Sequence, residues 1–360
     1  MDEQLFSKFD EFKEYSLGYP CNLAYDYSPV FNTFRYNINN VGDPYVPSLY
    51  KTHTKEAEKD VLRFFKNLWQ FDDNNSWGCL VESGTIGNLQ GLYMGREAFP
   101  DGMLYSSRES HYSIQKIAKI LKLPYCLIRS HENGEMDYND FEAKLTTHKD
   151  KSAIICVNLG TTMKGAIDNP REIYRILCKH KKQNDFYMHG DGALMGFALP
   201  FLEYDLFFKK CLHSISISGH KFLGCPFPCG VFMMEKKFLD KMKEPIEYVG
   251  TIDNTISGSR NGHSAIFLDH VIKKKGYGGF KDDVMQCIDN SEYLIQQMHL
   301  IEKKAWRNNN SITVVIDKPN QKILDKWQLP SERVLSHVVV MPHVTKPKIQ
   351  TFVRDLRILF

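Results

Sequence analysis

The chain has 360 residues, and its 46 basic and 43 acidic side chains give a net charge of +3, so we expect no nucleic acid or anionic membrane as a partner. A hydrophobic content of 42%, without an apolar run near the ~18 residues that span a bilayer, indicates a globular cytoplasmic protein. The nine cysteines include no Cys-x-x-Cys pair, so neither a disulfide framework nor a metal site is expected.

Residues 1–50 combine aromatic side chains with dense turn residues such as Gly18-Tyr19-Pro20. Helical periodicity is weak there, so we predict an irregular N-terminal arm that packs on another part of the protein. From Thr54 to Phe71 the apolar residues recur at helical spacing. This pattern predicts a core-facing helix with a cap at Thr54.

A Gly/Ser/Thr turn with Gly84 and Thr85 follows the predicted strand Trp77–Val81 and opens a helix. Such a turn offers backbone N–H groups and the positive end of a helix dipole to a phosphate. It could equally be a simple helix cap. Farther along, His111 precedes another helix, where it is either a packing residue or a ring that lies flat on an aromatic ligand.

Short β-prone segments alternate with helical ones between residues 103 and 191. The alternation predicts an α/β fold with a largely parallel sheet and helices on both faces, in which ligands bind at the carboxyl ends of strands. Asp191 ends one predicted strand between two glycines. Its carboxylate is either part of a structural ion pair or a group that keeps a proton on a ring nitrogen.

Lys221 lies on a tight turn between the β-prone run Ser214–Ser218 and the apolar run Val231–Met234. A lysine between two buried strands cannot easily reach bulk water, so it needs an anion or a covalent partner. A lysine amine with a lowered pKa forms a Schiff base with pyridoxal 5'-phosphate (PLP) in enzymes that use this cofactor. The turn alone could also be an ordinary surface loop.

After residue 260 the sequence predicts two long helices at roughly 263–274 and 280–300, two strands and a final helix. This is a smaller α+β unit. We therefore predict an N-terminal arm at 1–50, a large PLP-binding domain at 51–260 and a small C-terminal domain at 261–360.

Gly84-Thr85, His111, Asp191 and Ser218-Gly219-His220-Lys221 follow one another in this order. With them the chain resembles the group II PLP-dependent amino-acid decarboxylases, in particular plant serine decarboxylases and histidine decarboxylases. Further matches lie along nearly the whole chain, at Gly42-Asp43-Pro44, Phe99-Pro100-Asp101-Gly102, Gly160-Thr161-Thr162 and Gly258-Ser259-Arg260-Asn261-Gly262. The resemblance implies the aspartate-aminotransferase type I fold and a homodimer with active sites at the subunit interface.

The resemblance also implies roles for individual residues. Lys221 matches the lysine that binds PLP, Asp191 the acid that pairs with the pyridine nitrogen, and His111 the histidine stacked on the ring. The other matched positions surround the cofactor: Ala193 beneath the ring, Thr161 or Thr162 at its edge, and Gly84, Thr85, Ser218 and His220 around its phosphate. Residues 255–260 resemble a loop that approaches the phosphate of the neighbouring subunit.

The implied reaction is decarboxylation of an L-amino acid, with serine to ethanolamine ahead of histidine to histamine. The proton returned to Cα would come from His111, a loop tyrosine or water. Glu82 and Ile86 replace the Asn and Glu that are common in the family, and a carboxylate at position 82 would repel a phosphate that it faced. This difference favours a catalytically impaired paralogue as an alternative, and another PLP reaction, by a lyase or an oxygen-using aldehyde synthase, is a third.

Overall fold

A seven-stranded sheet forms the centre of the computed structural model, which describes residues 3–181, 185–202, 211–241 and 244–359. Its strands are β1 Ser76–Val81, β2 Met103–Ser107, β3 Tyr125–Ile128, β4 Ala153–Asn158, β5 Phe186–Asp191, β6 Ser214–Ser218 and β7 Gly230–Glu235. They lie in the order β1-β7-β6-β5-β4-β2-β3. β7 is antiparallel to both of its neighbours, whereas the other pairs are parallel. The largely parallel α/β sheet predicted from the sequence is confirmed.

Both faces of this sheet are covered by apolar side chains. Ile155 and Val157 of β4 belong to the larger buried cluster, while Ile154 and Cys156 belong to a second cluster on the opposite face. Successive residues of a strand point to opposite faces, so a parallel strand that is buried on both sides consists of consecutive apolar residues. This accounts for the short β-prone runs of the sequence.

The described helices are α1 Glu3–Glu14, α2 Lys55–Trp69, α3 Gly84–Ala98, α4 Ser113–Ile120, α5 Tyr138–Thr147, α6 Pro170–His180, α7 Met195–Ala198, α8 Gly262–Leu300, α9 Gln321–Trp327 and α10 Lys346–Leu359. α8 bends at Gly276, whose φ of 61° is not helical. The bend separates the two long helices predicted for this region. No helix formed by the described residues is long and apolar enough to cross a bilayer.

The first segment of the chain differs from the irregular arm that we predicted, since residues 3–14 form α1. Leu5, Phe9 and Phe12 recur at helical spacing within it, but the turn residues farther along the arm hid this pattern. None of the residues of α1 is buried in the protomer. The helix is therefore amphipathic, with an apolar face that remains accessible.

A second, antiparallel sheet lies in the C-terminal part of the chain. Its strands are β10 Ala305–Trp306, β11 Thr313–Asp317, β12 Ser331–Glu332 and β13 Leu335–Val339, in the order β10-β11-β13-β12. A separate hairpin pairs β8 Glu244–Ile246 with β9 Thr251–Asp253. Pro330, His337 and Val339 of this part of the chain and Gly18–Pro20 of the N-terminal arm lie at one edge of the large sheet.

A buried ion pair joins α2 to the segment that follows β9. The guanidinium of Arg260 contacts the carboxylate of Glu58 on α2, and its other terminal nitrogen donates to the carbonyl of Gly42 at 2.8 Å. Glu58 also accepts from the backbone N–H of Leu80 at 2.9 Å. The same guanidinium thus binds both α2 and the N-terminal arm, and removal of either charged partner would leave an uncompensated buried charge.

Candidate active site

The carboxyl ends of β4, β5 and β6 meet at one edge of the large sheet. Asn158 at the end of β4 pairs in register with Asp191 at the end of β5, and Asp191 pairs with Ser216 of β6. Lys221 follows β6 after a two-residue connection. Parallel strands thus bring together polar residues that are far apart in the sequence, at the edge where α/β folds bind ligands.

A cavity of about 110 Å³ lies at this edge. Six of the ten residues implied by the resemblance line it: His111, Thr161, Thr162, Asp191, Ala193 and Lys221. The cavity is also lined by Gly18, Tyr19, Pro20, Asn158, Gly160, Leu194, Pro330, His337 and Val339. The site is therefore built from the large sheet, the N-terminal arm and the C-terminal sheet together.

Asp191 supplies the carboxylate of the cavity. Its side chain is largely withdrawn from solvent, with 7% of the residue exposed. One carboxylate oxygen accepts from the backbone N–H of Ala193 at 3.2 Å. This hydrogen bond leaves acceptor capacity on the carboxylate, which can take a proton-bearing nitrogen.

Lys221 faces the same cavity from the turn after β6. Its carbonyl accepts from the backbone N–H groups of Asn22 and Gly224, each at 3.0 Å, and Gly224 adopts a φ of 66° that favours glycine. Burial lowers the pKa of the Lys221 amine, and attraction to Asp191 opposes this shift. A lowered pKa increases the neutral fraction of the amine, which is the nucleophilic form.

His111 lies opposite, just before α4. The backbone N–H of Ser113 donates to its Nδ1 at 3.3 Å, and the Ser113 hydroxyl lies 2.7 Å from the same nitrogen. Burial lowers the pKa of His111, an effect that Asp191 opposes and Lys221 reinforces. The ring is thus favoured in its neutral form, with the hydrogen on Nε2, and can pack flat against another ring.

The turn at the start of α3 provides a tight approach for a phosphate. Ser83 caps the helix by accepting from the backbone N–H of Ile86 at 3.3 Å, and the other N–H groups of the first turn have no partner within the helix. A Cβ at Gly84 would lie 2.5 Å from the Ser218 hydroxyl and 3.5 Å from Ala193. Glycine therefore lets the start of α3 pack closely on Ser218 at the end of β6, and the free N–H groups of this turn suit the phosphate of PLP.

The four positions implied around the phosphate, Gly84, Thr85, Ser218 and His220, are not among the residues that line this cavity. Thr85 is exposed on the first turn of α3. His220 lines a neighbouring depression together with Cys21, and its Nδ1 lies 3.0 Å from the carbonyl of Cys229. Neither residue lines the cavity that holds Lys221.

The carboxylate of Glu82 is bound by the loop at 255–260. One of its oxygens accepts from the Ser257 hydroxyl at 2.7 Å. The other is buried and has no hydrogen-bond partner among the residues that the structure describes. The side chain thus links the start of α3 to the loop that resembles the one near a neighbouring phosphate.

Sequence reasoning did not assign Asn158, Pro330 or His337 to the site. Asn158 could have been found because it ends a strand next to the one that ends in Asp191, and such ends meet in a parallel sheet. His337 is a polar residue before the apolar run Val338–Met341, which marks it as unusual without indicating its partners. Pro330 gives no signal in the sequence.

A scan against protein-family models matches residues 99–315 to the pyridoxal-dependent decarboxylase conserved domain. Serine decarboxylase 1 of Oryza sativa subsp. japonica is 42% identical over 346 residues, which cover 95% of this chain and 72% of that protein. Histidine decarboxylase of Solanum lycopersicum is 40% identical over 360 residues, which cover 98% of this chain and 87% of that protein.

Among solved structures, L-methionine decarboxylase from Streptomyces sp. 590 in complex with L-methionine methyl ester superimposes with a TM-score of 0.91. The alignment covers 99% of this chain and 95% of that chain at 21% sequence identity. At this identity the comparison bears on the fold, and it agrees with the fold type predicted from the sequence.

Proposed function

We propose that the chain converts L-serine to ethanolamine and CO₂, because it belongs to the family of pyridoxal-dependent decarboxylases. The chain is a carboxy-lyase, and PLP is its cofactor. The meeting of Lys221, Asp191 and His111 in one enclosed cavity supports catalysis by this chain. Serine as the substrate is supported by the similarity to the rice enzyme, which extends over nearly the whole chain.

The side chains of the cavity suit this chemistry. PLP, when bound, accepts the electron pair that departing CO₂ leaves behind. Lys221 supplies an amine whose burial favours the neutral, nucleophilic form. Asp191 provides a fixed negative charge that holds a proton on a ring nitrogen, and the neutral ring of His111 packs against an aromatic face.

Catalysis also requires a proton for the carbon that loses CO₂. His111 carries its hydrogen on Nε2 in the arrangement described above, and Tyr19 lines the same cavity with a hydroxyl that can donate. We assign proton return to His111, Tyr19 or water, as a general acid must lie within hydrogen-bond reach of the carbon. Lys221 has a different role: its amine displaces the amine product and gives up hydrogens to the product nitrogen.

The substrate is tested with protein purified in the presence of PLP. We expect ethanolamine from L-serine at a kcat/KM at least roughly tenfold above that for histamine from L-histidine, because a site selects between side chains by the contacts it makes with each. D-serine is the matched control, since it presents its carboxylate on the other side of Cα. A preference for histidine would replace serine by the second substrate, and release of no amine at all would refute decarboxylation by this chain.

We also infer that two copies of the chain associate through the N-terminal arm. Leu5, Phe6, Phe9 and Phe12 lie on α1 with between 44% and 53% of each residue exposed. Phe31 and Phe34 add exposed aromatic area farther along the arm. An apolar area of this kind is a feature of protein–protein interfaces, and the resemblance described above implies a homodimer.

The double substitution Phe9→Glu and Phe12→Glu is expected to convert the dimer to a monomer, because it places two charges on the apolar face of α1. Light scattering coupled to size-exclusion chromatography gives the mass of each form. Lys8→Glu changes a residue of the same helix and serves as the control. A monomeric unsubstituted protein, or a double variant that stays dimeric, would contradict this interface.

A further inference from the structure

His337 is a buried polar residue of β13 that lines the cavity. Only 2% of the residue is exposed. Its Nε2 lies 3.0 Å from the carbonyl oxygen of Gly18, and its Nδ1 lies 3.1 Å from that of Met163. Both ring nitrogens therefore face backbone carbonyls, which come from opposite walls of the cavity.

These carbonyls belong to segments that are distant in the sequence. Gly18, Tyr19 and Pro20 line one wall of the cavity, which we call the Gly18-Tyr19-Pro20 wall. Met163 follows Thr161 and Thr162, which line another wall. His337 itself lies on β13 of the C-terminal sheet. One side chain thus connects all three parts of the protein that form the cavity.

The ring can satisfy only one of these carbonyls in its neutral form. Burial lowers the pKa of His337, and its contacts with the two carbonyls oppose this shift. A neutral imidazole carries a single N–H, so at neutral pH one carbonyl receives a hydrogen bond and the other does not. Tyr19, His111, Asp191 and Lys221 are the other titratable residues that line the same cavity.

Both walls also have backbone hydrogen bonds of their own. Thr161 N–H donates to Ala166 at 2.8 Å, and next to Gly18 the Val339 N–H donates to Leu17 at 2.8 Å. We assign the single N–H of His337 to the carbonyl of Gly18, which is the nearer of the two carbonyls at 3.0 Å.

We propose that His337 is a positioning residue that fixes the Gly18-Tyr19-Pro20 wall and thereby limits the size of the amino-acid side chain that the cavity accepts. This role rests on the decarboxylation proposed above, for which a small substrate is expected. His337 acts through Gly18 and takes no part in bond making. Loss of the hydrogen bond loosens the wall while Lys221 and Asp191 stay in place.

Three substitutions of His337 distinguish its contact with Gly18 from its contact with Met163. His337→Gln places an amide nitrogen near the position of Nε2, His337→Asn places one near Nδ1, and His337→Phe retains a ring without a donor. We expect His337→Gln to keep the KM for L-serine within roughly threefold, and the other two to raise it about tenfold, as loss of a buried hydrogen bond does. We expect kcat to change by less than about threefold because binding is affected more than chemistry.

Selectivity is the readout that a purely structural role would not change. The ratio of kcat/KM for L-serine to that for the larger L-methionine is expected to fall about tenfold in His337→Phe and to be preserved in His337→Gln. Equal losses in all three variants, or an unchanged KM and ratio in His337→Phe, would overturn the proposal. Preservation by Asn in place of Gln would overturn the assignment to Gly18.

The test remains informative whatever the reaction is. Binding of L-serine and L-methionine to the PLP-loaded protein is followed by the change in its visible absorption, which needs no turnover. If the unsubstituted protein binds amino acids but releases no amine, the proposed decarboxylation fails and the selectivity of binding still tests His337. If His337→Phe does not fold, the comparison of Gln with Asn decides the question.

Discussion

Lys221→Ala is expected to eliminate the visible absorption band of bound PLP and to reduce amine release by at least about 10³-fold, because no other group replaces a covalent nucleophile. The amine of Lys221 faces the cavity, where burial lowers its pKa and increases its neutral, nucleophilic fraction. The substitution also removes a positive charge next to Asp191. Spectra recorded at saturating PLP, together with an assay of ethanolamine, measure both effects.

Two control variants test whether the loss of activity is due to the missing Lys221 nucleophile. Lys221→Arg keeps the positive charge, but guanidinium stays protonated and cannot act as the nucleophile, so it should be as inactive as the alanine variant. Lys179→Ala removes an exposed lysine that pairs with Glu142 at 2.7 Å and should leave activity unchanged. Retention of the band or of more than about a tenth of the activity in Lys221→Ala would refute the role of this lysine.

The sequence carried enough information to predict the centre of the site. Asp191 ends a predicted strand between two glycines, and Lys221 lies on the turn after another. The rule that ligands bind at the carboxyl ends of parallel strands then predicts that they lie close together. Local patterns of strand, turn and helix suffice for such residues. The cavity residues nearest to these two could therefore be expected before the structure was known.

The outer walls of the cavity could not be derived in this way. Gly18, Pro330 and His337 lie in three segments that meet only through tertiary packing, and no local pattern gives the distance between them. α1 was missed for another reason, because the turn residues that follow it in the arm outweigh its short apolar pattern. A short helix is usually stabilised by packing an apolar face on a core, whereas no residue of α1 is buried among the residues that the structure describes.

Asp191→Asn is expected to lower kcat for serine by about 10²- to 10³-fold, the loss found when one preorganised electrostatic group is removed from an active site. Asparagine has nearly the same shape and can still accept from the N–H of Ala193, which the aspartate does at 3.2 Å. What it lacks is the negative charge that holds a proton on the cofactor ring. Steady-state kinetics at saturating PLP measure the effect.

Asp191→Asn also changes the pKa of Lys221, and this change can be measured without turnover. Attraction to Asp191 raises the pKa of Lys221 against the lowering caused by burial, so removal of the charge lowers that pKa further. In protein freed of cofactor, the amine of Asp191→Asn should lose its proton at a lower pH than in the unsubstituted protein. The rate of PLP binding as a function of pH should accordingly shift to lower pH.

These two effects act in opposite directions and thereby separate the roles of Asp191. At low pH the variant should bind PLP faster, because more of the Lys221 amine is neutral, and yet it should decarboxylate more slowly at every pH. Asp60→Asn, which changes an aspartate paired with Arg63 on the surface, should alter neither property. A variant that keeps kcat within about threefold, a change too small for loss of an active-site charge, would show that the carboxylate serves the fold alone.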